Sequence, residues 1–268
     1  MFHAALSLIL GSLVGFSLGL IGGGGSILTV PLLVYVIGDS VTSAIGTSLA
    51  IVGLNAVFGF IGHWRHQRVG LKTGVGFGLA GVAGAFAGTW LGHFVPGKQI
   101  LFLFALLMLV AAFGMLRRRE PQTPAPEQAA FRNDFGPGQW LKVILTGLLV
   151  GLLTGFFGVG GGFVIVPALV IVLGMPMHLA VGTSLLIIAI TSASGLVAHL
   201  QYGGIDVATT LLFAVGGLLG VFVGAALAGK VREARLRQIF AYGMVLVALY
   251  LMYQNHPTLP AHLTALSP

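Results

Sequence analysis

The amino-acid sequence predicts an all-α polytopic membrane protein built from two homologous halves, and three observations lead to this prediction. The first is composition: of 268 residues, 57% are hydrophobic and only 7% are charged, with a mean hydropathy of +1.03. Soluble domains carry about a quarter charged residues, so this chain cannot cover a water-facing surface. The composition therefore excludes an ordinary cytosolic enzyme, a nucleic-acid-binding domain and a disordered protein. The second and third observations are long apolar segments and an internal repeat.

Eight apolar segments follow one another along the chain. They cover residues 4–36, 41–62, 73–95 and 100–116 in the first half, and 140–173, 177–199, 207–229 and 239–253 in the second. A helix needs about 20 residues to cross the hydrocarbon core, so six of these segments have the length of a single crossing. The first and the fifth are longer and contain glycine runs, which are poor helix formers. We therefore expect a break in each of these two segments.

Polar stretches divide the chain into parts. We expect a first membrane repeat over residues 1–116, a Pro-rich cytoplasmic linker over 117–139, a second membrane repeat over 140–254 and a flexible C-terminal tail over 255–268. The N-terminal sequence MFHAALSLIL has no positively charged region and no A-x-A site, so we expect no cleaved signal peptide. The absence of cysteine excludes a disulfide framework and a thiolate metal site.

The two halves align without a gap when the chain is shifted by 136 residues. About thirty of about a hundred aligned positions are identical, which indicates an internal duplication. The matching positions include the glycine runs, one Gly-Thr-Ser triplet and one histidine in each half: Gly22, Gly24 and Gly25 match Gly158, Gly160 and Gly161, Gly46-Thr47-Ser48 matches Gly182-Thr183-Ser184, and His63 matches His199.

The positive charges predict how the halves are oriented. Twelve of the 13 Lys and Arg residues form three clusters, at 65–72, 117–142 and 230–237, and Lys98 stands alone. If each broken segment crosses the membrane an even number of times, all three clusters lie on one side, as the positive-inside rule prefers. Two full crossings need about 40 residues, so we expect a re-entrant hairpin instead. The second half is then inverted relative to the first, with the basic loops in the cytoplasm and the termini outside.

Polar groups near the glycine runs predict a binding site. A break leaves backbone N–H groups free at the start of the next half-helix, near Ser26 and Gly162, and such ends attract anions. Ser48 and Asn55 lie about two turns apart on one helix face, and the second half repeats this spacing. All six acidic residues lie in predicted loops or the linker, which favours anions over cations. The predicted substrate-binding residues are Gly22, Gly23, Gly24, Gly25, Ser26, Gly46, Thr47, Ser48, Asn55, Gly158, Gly160, Gly161, Gly162, Gly182, Thr183, Ser184 and Thr191.

Structural roles compete with these assignments. A stripe of glycines within residues 74–92 is typical of close helix packing, and serine and threonine often bond back to carbonyls of their own helix. His63 and His199 each end a predicted span, where an ionisable side chain either carries protons or caps the helix. The sequence contains no H-E-x-x-H motif, no P-loop and no Ser-His-Asp constellation, so we predict no enzyme, no catalytic residue, no metal site and no cofactor.

The doubled motif G-x-G-G-(G/S), followed by Pro and then A-x-G-T-S, resembles the TauE/SafE sulfite exporter family, also called the toluene sulfonate uptake permease family. It is GGGGSILTVP with AIGTS in the first half and GVGGGFVIVP with AVGTS in the second. The resemblance covers nearly the whole chain except the linker and the tail. It implies a bacterial or archaeal inner-membrane secondary carrier for sulfite, sulfonates or related organic anions. It also implies that the glycine runs and the G-T-S triplets line the pathway.

We therefore predict a secondary transporter that moves small anions by alternating access around the glycine breaks. The family resemblance implies that it is an exporter. Proton coupling through His63 and His199, and coupling through protonation of the anion itself, are both compatible with the sequence. Two alternatives stay open: a passive anion channel on the same scaffold, and an electron-transfer protein that holds haem between these histidines. The expected partners are the lipid bilayer and a small anion, with no nucleic acid, and the chain is compatible with a monomer or a homodimer.

Overall fold

The computed structural model describes residues 2–117, 136–157, 162–200, 205–228 and 230–255, and within these ranges the chain forms helices and no β-strand. The first half contains α1 (Phe2–Ile21), α2 (Gly24–Leu32), α3 (Val41–Arg65), α4 (Leu71–Gly92) and α5 (Gly97–Arg117). The second contains α6 (Pro137–Phe157), α7 (Gly162–Pro167), α8 (Met177–His199), α9 (Val207–Ala228) and α10 (Glu233–Asn255). The short helices α2 and α7 continue as π-helical turns over Leu33–Ile37 and Ala168–Val172.

Eight of the described helices are long and apolar enough to span a membrane, namely all except α2 and α7. The predicted all-α class is confirmed, and each half contributes four of these eight helices. Helix α8 has the predicted ends, 177–199. Helix α6 starts at Pro137, inside the predicted linker. Proline suits the first position of a helix, because an N–H at that position would have no acceptor in the helix.

The first glycine break lies where the sequence predicts it. Helix α1 ends at Ile21, and Gly22 follows with φ +77°, a left-handed conformation that glycine adopts without a steric penalty. The second break falls outside the described residues (Gly158, Gly160 and Gly161). The helices on either side of it end at Phe157 and begin at Gly162.

Glycines bring the backbones of α1 and α9 into direct contact. A Cβ atom on Gly11 would lie 2.7 Å from Phe213 Cα, and one on Gly15 would lie 2.6 Å from Gly217 Cα. Since the numbers increase together, α1 and α9 run parallel. No residue other than glycine permits such an approach of two helices.

Helices α6 and α4, which are the repeat equivalents of α1 and α9, pack in the same way. A Cβ atom on Gly84 would lie 2.7 Å from Leu152 N, and one on Gly88 would lie 2.7 Å from Phe156 N, so α4 and α6 also run parallel. The glycine stripe predicted for close packing in α4 is confirmed.

The two repeat-related helices α3 and α8 cross in the middle of the bundle. A Cβ atom on Gly53 would lie 3.2 Å from Ser192 Cβ, and one on Gly59 would lie 3.1 Å from Leu185 Cδ1. The residue numbers change in opposite directions along the contact. Helices α3 and α8 are therefore antiparallel.

Further contacts give the directions of α4 and α9. Between α3 and α9, Gly59 lies against Val221 and Gly62 against Ala225. Between α4 and α8, Gly74 lies against Leu186 and Gly78 against Ile190. Helix α9 thus runs parallel to α3, and α4 runs parallel to α8. Because α3 and α8 are antiparallel, α4 and α9 are antiparallel too. The same reasoning applies to α1 and α6, which run parallel to α9 and α4. Three pairs of repeat-related helices thus run in opposite directions.

The bundle has two ends. The linker end contains the start of α6, which follows the linker, and the cavity end contains the cavity that is described below. At the linker end, the Arg68 carbonyl lies against Gly182, and His178 Nε2–H donates to the Val231 carbonyl at 3.1 Å. At the cavity end lie the starts of α3 and α9 and the ends of α4 and α8. The described basic residues of all three clusters lie at the linker end: Arg65, Arg68, Lys72, Arg117, Lys142, Lys230, Arg232, Arg235 and Arg237.

Candidate functional site

Gly23, in the first glycine break, and Gly162, the first residue of α7, meet backbone to backbone in the middle of the bundle. A Cβ atom on Gly23 would overlap the Gly162 carbonyl, and one on Gly162 would lie 2.5 Å from Gly23 Cα. The Gly162 Cβ position is also 2.7 Å from Ile188 Cδ1, and Ile188 lies halfway along α8. The starts of α2 and α7 therefore touch at the depth where α3 and α8 cross.

Two buried serine hydroxyl groups flank this contact. Ser26 Oγ is 2.9 Å from the Gly162 Cβ position and donates to the Gly23 carbonyl at 2.7 Å. Ser184 Oγ is 2.5 Å from the Gly22 Cβ position and donates to the Val181 carbonyl at 2.7 Å. Each hydroxyl keeps free lone pairs and can turn its hydrogen toward a ligand. We call the group formed by Gly22, Gly23, Ser26, Gly162 and Ser184 the crossing site.

The backbone at the crossing site also supplies donors. Gly22 N–H donates to the Leu18 carbonyl at 2.8 Å, and Ser26 N–H donates to the Gly23 carbonyl at 3.2 Å. Gly24 and Gly25 occupy the first positions of α2, where N–H groups have no carbonyl of the same helix to bond. The start of α2 therefore presents the partial positive charge of a helix N-terminus at mid-depth.

Three more buried polar side chains in α3 and α8 have no hydrogen-bond partner. They are Ser48, with its Oγ, Asn55, with both amide atoms, and Ser192, with its Oγ, and each residue is at most 1% exposed. An unpaired buried polar group costs about 1–3 kcal/mol. Such groups need an explanation, and a polar ligand or water that reaches them supplies one.

Asn55 and Thr191 occupy equivalent positions but are bonded differently. The Asn55 amide carbon is 2.7 Å from the Cβ position of Gly217, and the Thr191 methyl carbon is 3.0 Å from that of Gly81. Thr191 Oγ1 donates to the Ile187 carbonyl of its own helix at 2.9 Å. The bond to its own helix thus gives Thr191 a structural role, while the Asn55 amide stays unpaired.

The threonines of the two G-T-S triplets connect the halves. Gly70 N–H donates to Thr183 Oγ1 at 2.8 Å, and Asp206 N–H donates to Thr47 Oγ1 at 3.2 Å. Gly70 and Asp206 are 136 residues apart, so the two bonds are equivalent. One lone pair of each hydroxyl is therefore engaged in holding the other half. The preceding glycines, Gly46 and Gly182, are both buried in the same helices.

His63 and His199 lie at opposite ends of the bundle. His63 Nε2–H donates to the Gly19 carbonyl at 3.0 Å, and its buried Nδ1 has no partner. His199 Nε2–H donates to the Thr42 carbonyl at 2.9 Å. Because the rings are at different ends, they cannot be the two axial ligands of one haem, and the haem alternative is not supported.

A cavity of about 110 Å³ lies at the cavity end, next to His199. Its lining includes Thr42, Ile45, His93, Gly155, Phe156 and His199. Since one water molecule takes about 30 Å³ of liquid volume, the space holds a few waters or one small anion.

Two carboxyl groups lie at the cavity end, outside the spans. Burial, together with the charge of Asp206, raises the pKa of Asp39 above its ordinary value. The hydroxyl and the N–H of Thr209 donate to Asp206 and lower the pKa of its carboxyl. In the described ranges no acidic residue lies inside a span, and Glu233 starts α10. The other acids, Glu120, Glu127 and Asp134, fall outside those ranges.

Sequence reasoning did not select Ser192. Its equivalent in the first half is Ala56, so the repeat gives no signal there. A polar residue inside an otherwise apolar span was the available signal.

The family model described as sulfite exporter TauE/SafE matches residues 7–251. A "Probable membrane transporter protein" of Xylella fastidiosa is 38% identical over 259 residues, covering 94% of this chain and 95% of that protein. "Probable membrane transporter protein YdhB" of Bacillus subtilis is 26% identical, covering 90% and 97%. "Probable membrane transporter protein MJ0441" of Methanocaldococcus jannaschii is 26% identical, covering 92% and 94%.

No solved structure matched the chain. The family match spans both repeats, including the two glycine breaks and both G-T-S triplets. It confirms the resemblance seen in the doubled motif. The eight membrane-length helices and the named relatives make this chain a multi-pass membrane transporter. The chain belongs to the TauE/SafE sulfite exporter family.

Proposed function

We propose that this transporter is a secondary carrier, in the export direction, for small anions such as sulfite, sulfonates or related organic acids. The observation that carries the proposal is the crossing site, where two helix starts with glycine backbones meet at mid-depth. Irregular backbone at this depth is tolerated only where protein buries it or where it lines a polar cavity. Paired breaks of this kind form the substrate sites of many carriers with inverted repeats.

The chemistry of the described interior favours an anion. Ser26 and Ser184 supply hydroxyl groups at the crossing site, and the start of α2 supplies N–H groups. Ser48, Asn55 and Ser192 add buried donors without partners. Carboxylates, which a cation site needs, are not found inside the described spans. The anion lies beside the contact between Gly23 and Gly162, because these two backbones leave no space between them.

The antiparallel repeat-related helices support an inverted-repeat topology in the membrane. The linker end carries the basic clusters and therefore faces the cytoplasm by the positive-inside rule. The two halves then rock against each other around the crossing site to expose it alternately to each side. The bonds that Thr47 and Thr183 accept keep the halves together during this motion.

Saturable counterflow of a labelled anion distinguishes a carrier from a passive channel on the same scaffold. Coupling to protons has a candidate acceptor in each half. Both histidines use Nε2–H to bond a carbonyl, so Nδ1 is the atom that takes up a proton.

The proposal is tested by flux measurements in proteoliposomes with labelled sulfite, an alkylsulfonate and a dicarboxylate. We expect saturable flux of at least one anion, reduced tenfold or more in Ser26→Ala and Ser184→Ala. The matched control is Ser12→Ala, since Ser12 bonds carbonyls of α1 and α9 away from the crossing site. The absence of flux for every anion tested would contradict the proposal.

A further inference from the structure

The two ends of the bundle are not equally closed, although the repeat makes them equivalent. Each residue that lines the cavity has a counterpart 136 positions away, and the counterparts that the structure describes lie at the linker end. Gly155 and Phe156 are half-buried at the cavity end, whereas their counterparts Gly19 and Leu20 are buried. Ile45 is half-buried, whereas its counterpart Val181 is fully buried. The described counterparts at the linker end are thus more deeply buried than the residues that line the cavity.

One hydrogen bond differs between the two ends. At the linker end, His63 Nε2–H donates to the Gly19 carbonyl. Helix α1 stops two residues later, and no backbone N–H of α1 reaches this carbonyl, because Gly22 N–H bonds Leu18 instead. His63 therefore joins the end of α3 to the end of α1, next to the first glycine break.

The equivalent bond is missing at the cavity end. His199 and Gly155 are the counterparts of His63 and Gly19, and both line the cavity. His199 bonds the Thr42 carbonyl instead, and among the described side chains Thr89 donates to the Gly155 carbonyl, at 3.4 Å. The residues that could close this end are thus present but separated.

Resting on the function proposed above, we propose that the His63–Gly19 bond is the gate of the linker end and that the structure is the state open at the cavity end. In the opposite state the halves exchange roles. His199 then bonds the Gly155 carbonyl and closes the cavity end, while His63 turns to the carbonyl of His178, the counterpart of Thr42. An anion reaches the crossing site from the cavity end in the first state and from the linker end in the second.

The gate is tested by cysteine labelling, which the natural absence of cysteine makes direct. Ile45→Cys reports access from the cavity end and Val181→Cys access from the linker end. Each reporter is labelled with a membrane-impermeant maleimide in vesicles of both orientations. In the otherwise unchanged chain, we expect Ile45→Cys to react and Val181→Cys to react at least tenfold more slowly.

Variants of His63 test the bond itself. His63→Ala removes the donor, so the rate at Val181→Cys should rise about tenfold. His63→Gln, whose amide can donate to the same carbonyl, should bring the rate back toward the starting value. His66→Ala is the control, because His66 lies at the same end and bonds the Gly62 carbonyl of its own helix. It should leave the rate unchanged.

The outcomes separate the gate from the transport function. Normal labelling of Ile45→Cys in the His63→Ala background shows that the variant is folded. If Val181→Cys then stays as slow as before, or if His63→Gln behaves like His63→Ala, the gate is refuted. If labelling follows the prediction but no anion is transported by the unchanged protein, the gate stands and the anion proposal fails.

Discussion

Replacing Gly162 by alanine tests whether the contact between Gly23 and Gly162 is essential. Gly162 is the first residue of α7 and its φ is not positive, so alanine meets no conformational penalty there. The added Cβ atom would lie 2.5 Å from Gly23 Cα, 2.7 Å from Ile188 Cδ1 and 2.9 Å from Ser26 Oγ, while ordinary contact begins at 3.4 Å. The effect of this substitution therefore comes from space alone.

The magnitude follows from which neighbours can move. The side chains of Ile188 and Ser26 can rotate away, but Gly23 Cα belongs to the backbone. Helices α2 and α7 must then separate by about 0.9 Å. Overpacking of this kind costs about 1–3 kcal/mol, and the better helix propensity of alanine returns up to about 1 kcal/mol. We expect a net loss of about 1–2 kcal/mol in stability and a fall in anion flux of at least tenfold.

The assay combines thermal unfolding in detergent with flux in proteoliposomes. The matched control is Gly243→Ala, because Gly243 is exposed on α10 and nothing lies within 4 Å of its Cβ position. The control should keep both the stability and the flux of the unchanged protein. If Gly162→Ala is as stable and as active as Gly243→Ala, the breaks do not need to touch, and the reasoning is refuted.

Three further predictions concern other parts of the bundle. Gly15→Ala places a Cβ atom 2.6 Å from Gly217 Cα, so the unfolding temperature in detergent should fall by the equivalent of about 1–3 kcal/mol, and an unchanged temperature would contradict the close packing of α1 and α9. Asn55→Leu removes an unpaired buried amide, so stability should stay equal or rise by about 1 kcal/mol while flux falls; unchanged flux would exclude Asn55 from the pathway. Asp206 has a lowered pKa in the folded state, so its stabilising effect is complete above about pH 4 and disappears as the pH falls through that lower pKa. The difference in unfolding temperature between the unchanged protein and Asp206→Asn should therefore be largest near pH 7 and shrink as the pH falls below about 4, and a difference independent of pH would contradict the bonds from Thr209.

The sequence was sufficient to predict the helices and the first break. Apolar segments of membrane length have few alternatives in a bilayer, and the ends of α8 were predicted to the residue. The break at Gly22 followed from the glycine run, since only glycine adopts its φ of +77° readily. The described basic residues of the three clusters lie at one end of the bundle, as the positive-inside rule predicted from the sequence.

The partners of the polar side chains could not be predicted from the sequence. Thr47 and Thr183 were selected because the motif repeats, but their bonds to Asp206 and Gly70 depend on how loops of one half reach helices of the other. Such contacts join residues more than a hundred positions apart, and no local pattern encodes them. For the same reason the unpaired Ser192 could not be distinguished from serines that bond their own helix.

The asymmetry between His63 and His199 was equally hidden. Both histidines end equivalent spans, and the sequence treats them alike. The repeat predicts two equivalent environments, whereas a carrier of the proposed kind, held in a single state, has two different ones. The difference can be seen only where the Gly19 carbonyl accepts a bond that the Gly155 carbonyl lacks.

The most direct test of the crossing site is to locate a bound anion. Crystals of the unchanged protein soaked with a short brominated alkylsulfonate would give an anomalous bromine signal, with density for the sulfonate beside it. We expect the sulfonate oxygens within hydrogen-bond distance of Ser26, Ser184 or the first N–H groups of α2. A sulfonate found only in the cavity beside His199, or only on the surface, would contradict the assignment.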